Sequence, residues 1–417
     1  MKLLVACVAA CWLLLQTWPP SMAGERGKPW TRHVIDGSSR GADGARLADV
    51  NGDGLPDIAT GWEEGSQIRV CLHPGVQGVR EPWPAVTVGR VKSPEDAVFA
   101  DVNGDGALDV VSSCEGSTRS IYFHVAPSDA NRYLDASAWQ THKLPAAAGK
   151  TRWMFCLPMD VDGRGGIDLV VGSKAPAATV AWLEAPAQSD DLHGWKLHPI
   201  MDAAWVMSLV AADVDGDGRQ DVIVSDRKGD QPGVYWLQSQ PDGPGLQWAR
   251  HAIGGLGQQV MFLDYADLNG DGVKDVLVAI SGGDLLYLRR DVPEGQRHQT
   301  ATKPDDIRWS AFTISMPENV GGGKSVRVGD INLDGKMDLV LSCESANGDR
   351  SGVVWMEYNG TPEKGSWQTH ELSGTAGVKF DLLQLVDLDG DGDLDVITCE
   401  ERDNLGLIWY ENPTRSK

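Results

Sequence analysis

Asp49, Asn51, Asp53 and Asp57 stand at positions 1, 3, 5 and 9 of the stretch DVNGDGLPD, with Gly54 at position 6. Four hard oxygen donors in one tight loop, plus a backbone carbonyl at position 7, are what a calcium ion takes as ligands. Glycine at position 6 would let the chain turn around the ion through a positive φ at little cost. The flanks GARLADV and IATGW read as β-strands rather than helices.

The same constellation recurs along the chain. It returns as Asp101, Asn103, Asp105 and Asp109; as Asp213, Asp215, Asp217 and Asp221; and as Asp267, Asn269, Asp271 and Asp275. Two further copies are Asp330, Asn332, Asp334 and Asp338, and Asp387, Asp389, Asp391 and Asp395. A seventh copy, DVDGRGGID from Asp160, puts Arg164 where position 5 wants an acid. A fixed guanidinium there would take the cation's place beside Asp160, Asp162 or Asp168, so this loop is expected to hold no metal. The sixth loop has Leu333 in place of the position-4 glycine but keeps its oxygens. The expectation is about six structural Ca2+ ions, because no spare base or nucleophile recurs beside the ligands.

The loops begin 52 to 63 residues apart, the spacing of propeller blades. Each unit reads as four strands. Strand A runs into the loop and strand B, a near-continuous Val/Ile/Leu run such as DVIVSD, follows it. Strand C carries an aromatic residue (Trp182, Trp236, Trp355, Trp409). Strand D reads WxxH at Trp139, Trp195, Trp248 and Trp367, while WPAV at Trp83 and WSAF at Trp309 keep only the tryptophan. The expected fold is all-β: a seven-bladed β-propeller of four-stranded antiparallel blades. The last unit stops at strand C, and an unmatched WTRHVI precedes the first loop. The N-terminal strand is therefore expected to pair near Ile408 and close the ring, leaving no open sheet edge.

The repeated DxNGDGxxD between strands resembles the FG-GAP/VCBS repeat family, a propeller class that includes integrin α heads and many secreted bacterial proteins. The resemblance spans nearly all of the chain after residue 23, although the literal FG and GAP words are missing. It implies the fold and the calcium loops. The family includes adhesion and ligand-binding modules and related propellers in polysaccharide lyases and sugar dehydratases, so fold alone does not choose among them.

Formal net charge is −22, and the acidic loops explain much of it. That balance argues against nucleic acid as a partner. Lys2 followed by the apolar run Leu3–Leu15, with Ser21-Met22-Ala23 as a small-x-small cleavage site, reads as a signal peptide over residues 1–23. The propeller is assigned 24–417, secreted or periplasmic; lipoprotein anchoring at Cys11 is the less favoured alternative. No later segment is apolar enough to span a bilayer. The remaining cysteines, Cys71, Cys114, Cys156, Cys343 and Cys399, are odd in number and form no CxxC pair, and are read as buried small residues.

In such a blade the A–B loops lie on one face, and the B–C and D–A connections surround the opposite mouth of the channel. That mouth is expected to present Glu63, Glu115, Glu344 and Glu400 from blades 1, 2, 6 and 7. Blades 3 and 4 offer Arg152, Trp153, Lys174, Trp205, Asp226, Arg227 and Lys228. An acidic arc would then face a basic, aromatic arc suited to a sugar or an anionic sugar. The reading favoured by the residues is a monomeric binding module for carbohydrate or protein. The alternative is a sugar lyase or dehydratase using Lys174, Arg227 or Glu115 in acid–base chemistry. A scaffold bound through its outer strands is a third reading. The histidines of WxxH recur in most blades, so they are read as packing devices.

Overall fold

The structure is a computed structural model, and it describes residues 26–188, 191–242, 245–292 and 303–415. The signal-peptide assignment to residues 1–23 lies outside the described residues. Those described form seven four-stranded antiparallel sheets, each in the spatial order A-B-C-D. In blade 1 these are Ala42–Ala48, Asp57–Trp62, Gln67–Cys71 and Ala85–Gly89. Strands B are buried at every residue in blades 1, 2, 4 and 7, as in Asp57–Trp62 and Asp221–Asp226, and at all but the last residue in blades 3, 5 and 6. Strands D are more exposed, as in Arg308–Ile314, where only the last residue is buried. The A strands of successive blades pack against one another, so strand A is innermost and strand D outermost.

The ring closes as expected. The N-terminal strand Thr31–Asp36 pairs antiparallel with Gly406–Glu411, with Val34 opposite Ile408, and becomes strand D of blade 7. Position 6 of every loop has a positive φ, from 76° at Gly165 to 92° at Gly392. The five cysteines are buried and unpaired.

His33, His251 and His370 stack on Trp409, Trp236 and Trp355 at centroid distances of 4.6, 4.5 and 3.9 Å. The same imidazoles bond to the residue two places after that tryptophan: His33 to Glu411 at 2.8 Å, His251 to Gln238 at 3.2 Å and His370 to Glu357 at 2.8 Å. Each such pair ties strand D to strand C within one blade, which is the packing role expected of these histidines.

Candidate functional site

The acidic loops are folded by their own carboxylates. Asp49 accepts the backbone N–H of Gly52 and Asp53 on Oδ1 (2.8 and 3.0 Å) and that of Gly54 on Oδ2 (2.9 Å). Asp57 at position 9 is fully buried and accepts from Val50 N at 3.0 Å and from His73 N, beyond strand C, at 2.8 Å. Asp109, Asp168, Asp221 and Asp395 repeat this pair of bonds. Position 9 therefore ties the loop to the end of strand C. Burial, with neighbouring loop carboxylates adding to it, pushes Asp57 up to about 6 and Asp109, Asp275, Asp338 and Asp395 up to about 7. In loops 4 and 7, three carboxylate oxygens lie within 4.8 Å of one another (Asp213, Asp215, Asp221; Asp387, Asp389, Asp395). Like charges held that close fit a divalent cation. In loop 3 the guanidinium of Arg164 sits on Asp162 at 2.7 and 3.1 Å, while Asp160, Asp162 and Asp168 still converge.

The residue six places ahead of each loop's first aspartate lines the ring's axis. In chain order these residues are Asp43, Glu95, Met154, Met207, Met261, Lys324 and Asp381. Strand A slips register at or beside this position, for example between Pro94 and Asp96, Trp153 and Phe155, Val206 and Ser208, and Gly323 and Ser325. A β-bulge re-aims a side chain, here toward the centre. Met154, Met207 and Met261 meet Phe155, Phe262 and Leu382 in one cluster drawn from blades 3, 4, 5 and 7, which can touch only at the axis.

Blades 6, 7, 1 and 2 fill the other half of the axis with charge. Lys324 Nζ lies 2.5 Å from Asp381 Oδ2 and 3.3 Å from Glu401 Oε1; Lys379 also pairs with Glu401. Arg46 grips Asp96 through two bonds of 2.9 and 3.2 Å. Burial, with Asp381, Glu95 and Glu401 nearby, holds the Asp43 carboxyl far above its ordinary range. Burial and nearby acids raise Glu95 to about 8 against the opposing pull of Lys174. Asp43, Glu95 and Asp381 were missed as site residues. Their shared spacing of six residues ahead of the loop was the available signal.

The expected mouth residues separate into three groups. Glu63 and Glu115 do come together, with Glu95, and Lys174 closes the group by pairing with Glu115 and lying 3.9 Å from Glu95. Trp205, Lys174, Arg227 and Lys228 also converge. The Lys174 and Lys228 ammoniums lie 4.8 and 4.4 Å, and the Arg227 guanidinium carbon 4.9 Å, from the centre of the Trp205 ring. Arg152 pairs across the strand register with Lys174. Glu344 is half-buried at the end of its strand without an ion pair among the described residues.

Two expected ligand residues, Trp153 and Glu400, are corrected. Trp153 is fully buried between blades 2 and 3, its Nε1 donating to Ala147 O at 2.9 Å, because the bulge after it turns the indole into the interblade core. Glu400 is fully buried and accepts backbone N–H groups of Val378, Lys379, Arg402, Asp403 and Leu405, so it braces a turn. Asp226, also buried, accepts from Trp205 N at 2.7 Å and Ala204 N at 3.1 Å, so it positions Trp205, and it lines the neighbouring cavity as well.

The FG-GAP-like repeat model matches residues 49–112, 160–224, 213–278 and 330–398, more than half of the chain. Integrin alpha-IIb of Mus musculus is 27% identical over 228 residues, covering 46% of this chain and 21% of that protein. The Homo sapiens protein is 28% identical over 203 residues, covering 41% and 18%. The matched region is thus about a fifth of the length of these relatives. Two solved structures of BBS1N in complex with ARL6DN, soaked with mercury or lead, superpose with a TM-score of 0.51 at 11% identity, over 94% of this chain and 99% of theirs; they share the fold. The four repeat matches, the seven blades and the recurring acidic loops agree: this chain belongs to the FG-GAP-like repeat family.

Proposed function

We propose that the protein is an exported, calcium-loaded binding module that engages carbohydrate or protein through the mouth of its channel. The observation that carries this reading is a set of unmatched donors. Among the described residues Arg152, Arg227 and Lys228 have no ion-pair partner, although the chain's net charge is −22. Arg152 Nε, Arg227 Nε and Trp205 Nε1 are buried atoms without an acceptor. Buried donors left unpaired are costly, and a ligand oxygen would satisfy them. The adhesion and ligand-binding propellers that the chain resembles support the same reading, and the signal-like residues 1–23 support export. No helix among the described residues is long and apolar enough to cross a membrane.

Calcium would be held by the carboxylate and amide oxygens of loops 1, 2, 4, 5, 6 and 7, and would neutralise crowded acids there. The mouth lies on the opposite face, so the ions stabilise the ring and leave recognition to side chains. The test is a panel of glycans and extracellular proteins, screened with calcium-loaded protein and with Trp205→Ala. A ligand bound by the parent and lost with Trp205→Ala supports the mouth. Binding that survives Trp205→Ala and disappears with Trp367→Ala on the outer strands overturns it.

A second reading, a sugar lyase or dehydratase, is favoured by one observation: Glu95, raised to about 8, lies beside the Lys174–Glu115 pair. A carboxyl that titrates near neutral pH next to a lysine could move a proton. Incubation with uronic-acid oligosaccharides and keto-sugars should then produce the ultraviolet absorbance of a new conjugated double bond, abolished by Lys174→Ala. No signal across the panel retains the binding reading.

A further inference from the structure

We propose that the mouth holds a two-part site for an acidic sugar: the Trp205 arc takes the carboxylate, and an adjoining pocket takes the hydroxyl-bearing ring beside it. This rests on the binding-module reading and assigns its ligand class.

The first part is built for an anion. Arg227 Nη2 is held by Ser281 Oγ at 3.0 Å, while its Nε has no acceptor. Lys228 stands over the same indole and has no carboxylate partner among the described residues. The support is rigid: Trp205 N bonds to Asp226, and Arg227 N bonds to Trp205 O at 2.8 Å. Gly229 has φ +87°, and a Cβ there would come 2.6 Å from the Ala204 Cβ, so the turn presenting Lys228 packs tightly against the turn presenting Trp205. Donors fixed in place lose little freedom when an oxyanion arrives.

The second part is a cavity of about 450 Å3 that shares Lys228 with the first. It is lined by Asp202, Asp226, Asp230, Gln231, Tyr235 and Arg250 as well, the Asp226 carboxylate being already engaged by the backbone N–H groups of Ala204 and Trp205. Arg250 lies 5.1 Å from the Tyr235 ring centre and donates to Gln231 Oε1 at 3.1 Å. The volume falls in the range of small-ligand pockets. Its lining mixes acceptors (Asp202, Asp230) with donors (Arg250, Lys228), which matches hydroxyls that both donate and accept. The hydroxyls separate a uronate from an acidic peptide. Each uronate ring carries hydroxyls beside its carboxylate, which can donate to Asp202 and Asp230 and accept from Arg250. A peptide with an acid at every residue brings carboxylates but no hydroxyls to pair with Asp202 and Asp230.

The test is calorimetric titration of the calcium-loaded full mature chain with trigalacturonate, neutral galactotriose and hexaglutamate at fixed free calcium. Saturable trigalacturonate binding that weakens with salt is expected. Arg227→Gln with Lys228→Gln should weaken it about tenfold or more, and Arg250→Gln several-fold, in variants whose Tm matches the parent's. Absence of trigalacturonate binding up to millimolar concentration overturns the proposal. So does equal affinity in the Arg227/Lys228 variant, or hexaglutamate binding as tightly as trigalacturonate. Galactotriose binding as tightly, and lost with Trp205→Ala, overturns the acidic assignment while leaving the mouth as a binding site. If the broader panel also yields no mouth ligand, both readings fall.

Discussion

Lys324 of blade 6 places its ammonium 2.5 Å from a carboxylate oxygen of Asp381 in blade 7, and both side chains are almost inaccessible to solvent. The pair crosses a blade boundary at the ring's axis, so its charge balance is a property of the closed ring. Lys324→Met would leave Asp381 and Asp43 facing each other without that cation. The expected loss is about 3–5 kcal/mol in denaturant melts, the usual cost of stranding a buried charge. Lys324→Met with Asp381→Leu should recover much of it; equal losses in both variants would show that the pair's charge is not the cause.

Glu95 makes stability depend on pH. Burial and neighbouring acids raise its carboxyl from 4.5 to about 8, against Lys174. The folded state therefore keeps a proton that the unfolded chain releases above its ordinary pKa. Its contribution is fully present below about 4.5 and is lost as pH rises toward 8. Glu401, raised to about 7 by burial with Asp381 adding to it and Lys324 opposing, acts in the same sense. Calcium-saturated parent protein should lose Tm between pH 5 and 8.5. Glu95→Gln should flatten part of that slope and be the more stable protein at pH 8.5, by on the order of a few kcal/mol. A parallel pair of curves would contradict the assignment.

Calcium should raise Tm and chelation should lower it; at a hundredfold excess over Kd each site adds about 2.7 kcal/mol of stability. Arg164→Asp restores the donor missing from loop 3. Calorimetry should then count one more calcium ion than in the parent. An unchanged count would mean either that loop 3 already binds or that it cannot.

Removing residues 24–36 deletes strand D of blade 7 and exposes the edge of Gly406–Glu411. The truncated chain should melt earlier by several degrees or more and self-associate through the bared edge. Scanning calorimetry with light scattering reads both effects. An unchanged Tm would show that the strand is not a clasp.

Leu333 holds φ +60° at a loop position where the other six loops have glycine. A branched side chain in that region costs about 1–2 kcal/mol. Leu333→Gly should stabilise the protein by about 0.5–1 kcal/mol after glycine's own entropic cost. Destabilisation would mean that Leu333, about one-third exposed, packs more than it strains.

The seven blades, the positive-φ turns and the closing strand follow from local spacing, so they were legible in the sequence. A nine-residue loop pattern fixes where strands A and B meet, and a near-continuous apolar run marks the strand buried on both faces.

Which side chains face the axis or the mouth was decided by tertiary structure. Trp153 and Trp205 stand seven and eight residues ahead of Asp160 and Asp213, and with that offset one indole is sealed between blades while the other carries three cations. Glu400 and Glu401 are adjacent, yet one braces a turn through backbone N–H groups and the other joins the ionic half of the axis. The physical reason is the register slip in strand A and the contact between blades. One inserted residue reverses which face a side chain takes, and a charge at the axis finds its partner on a blade some fifty residues away. Sequence spacing determines the repeat, whereas closure of the ring determines which of its charges meet.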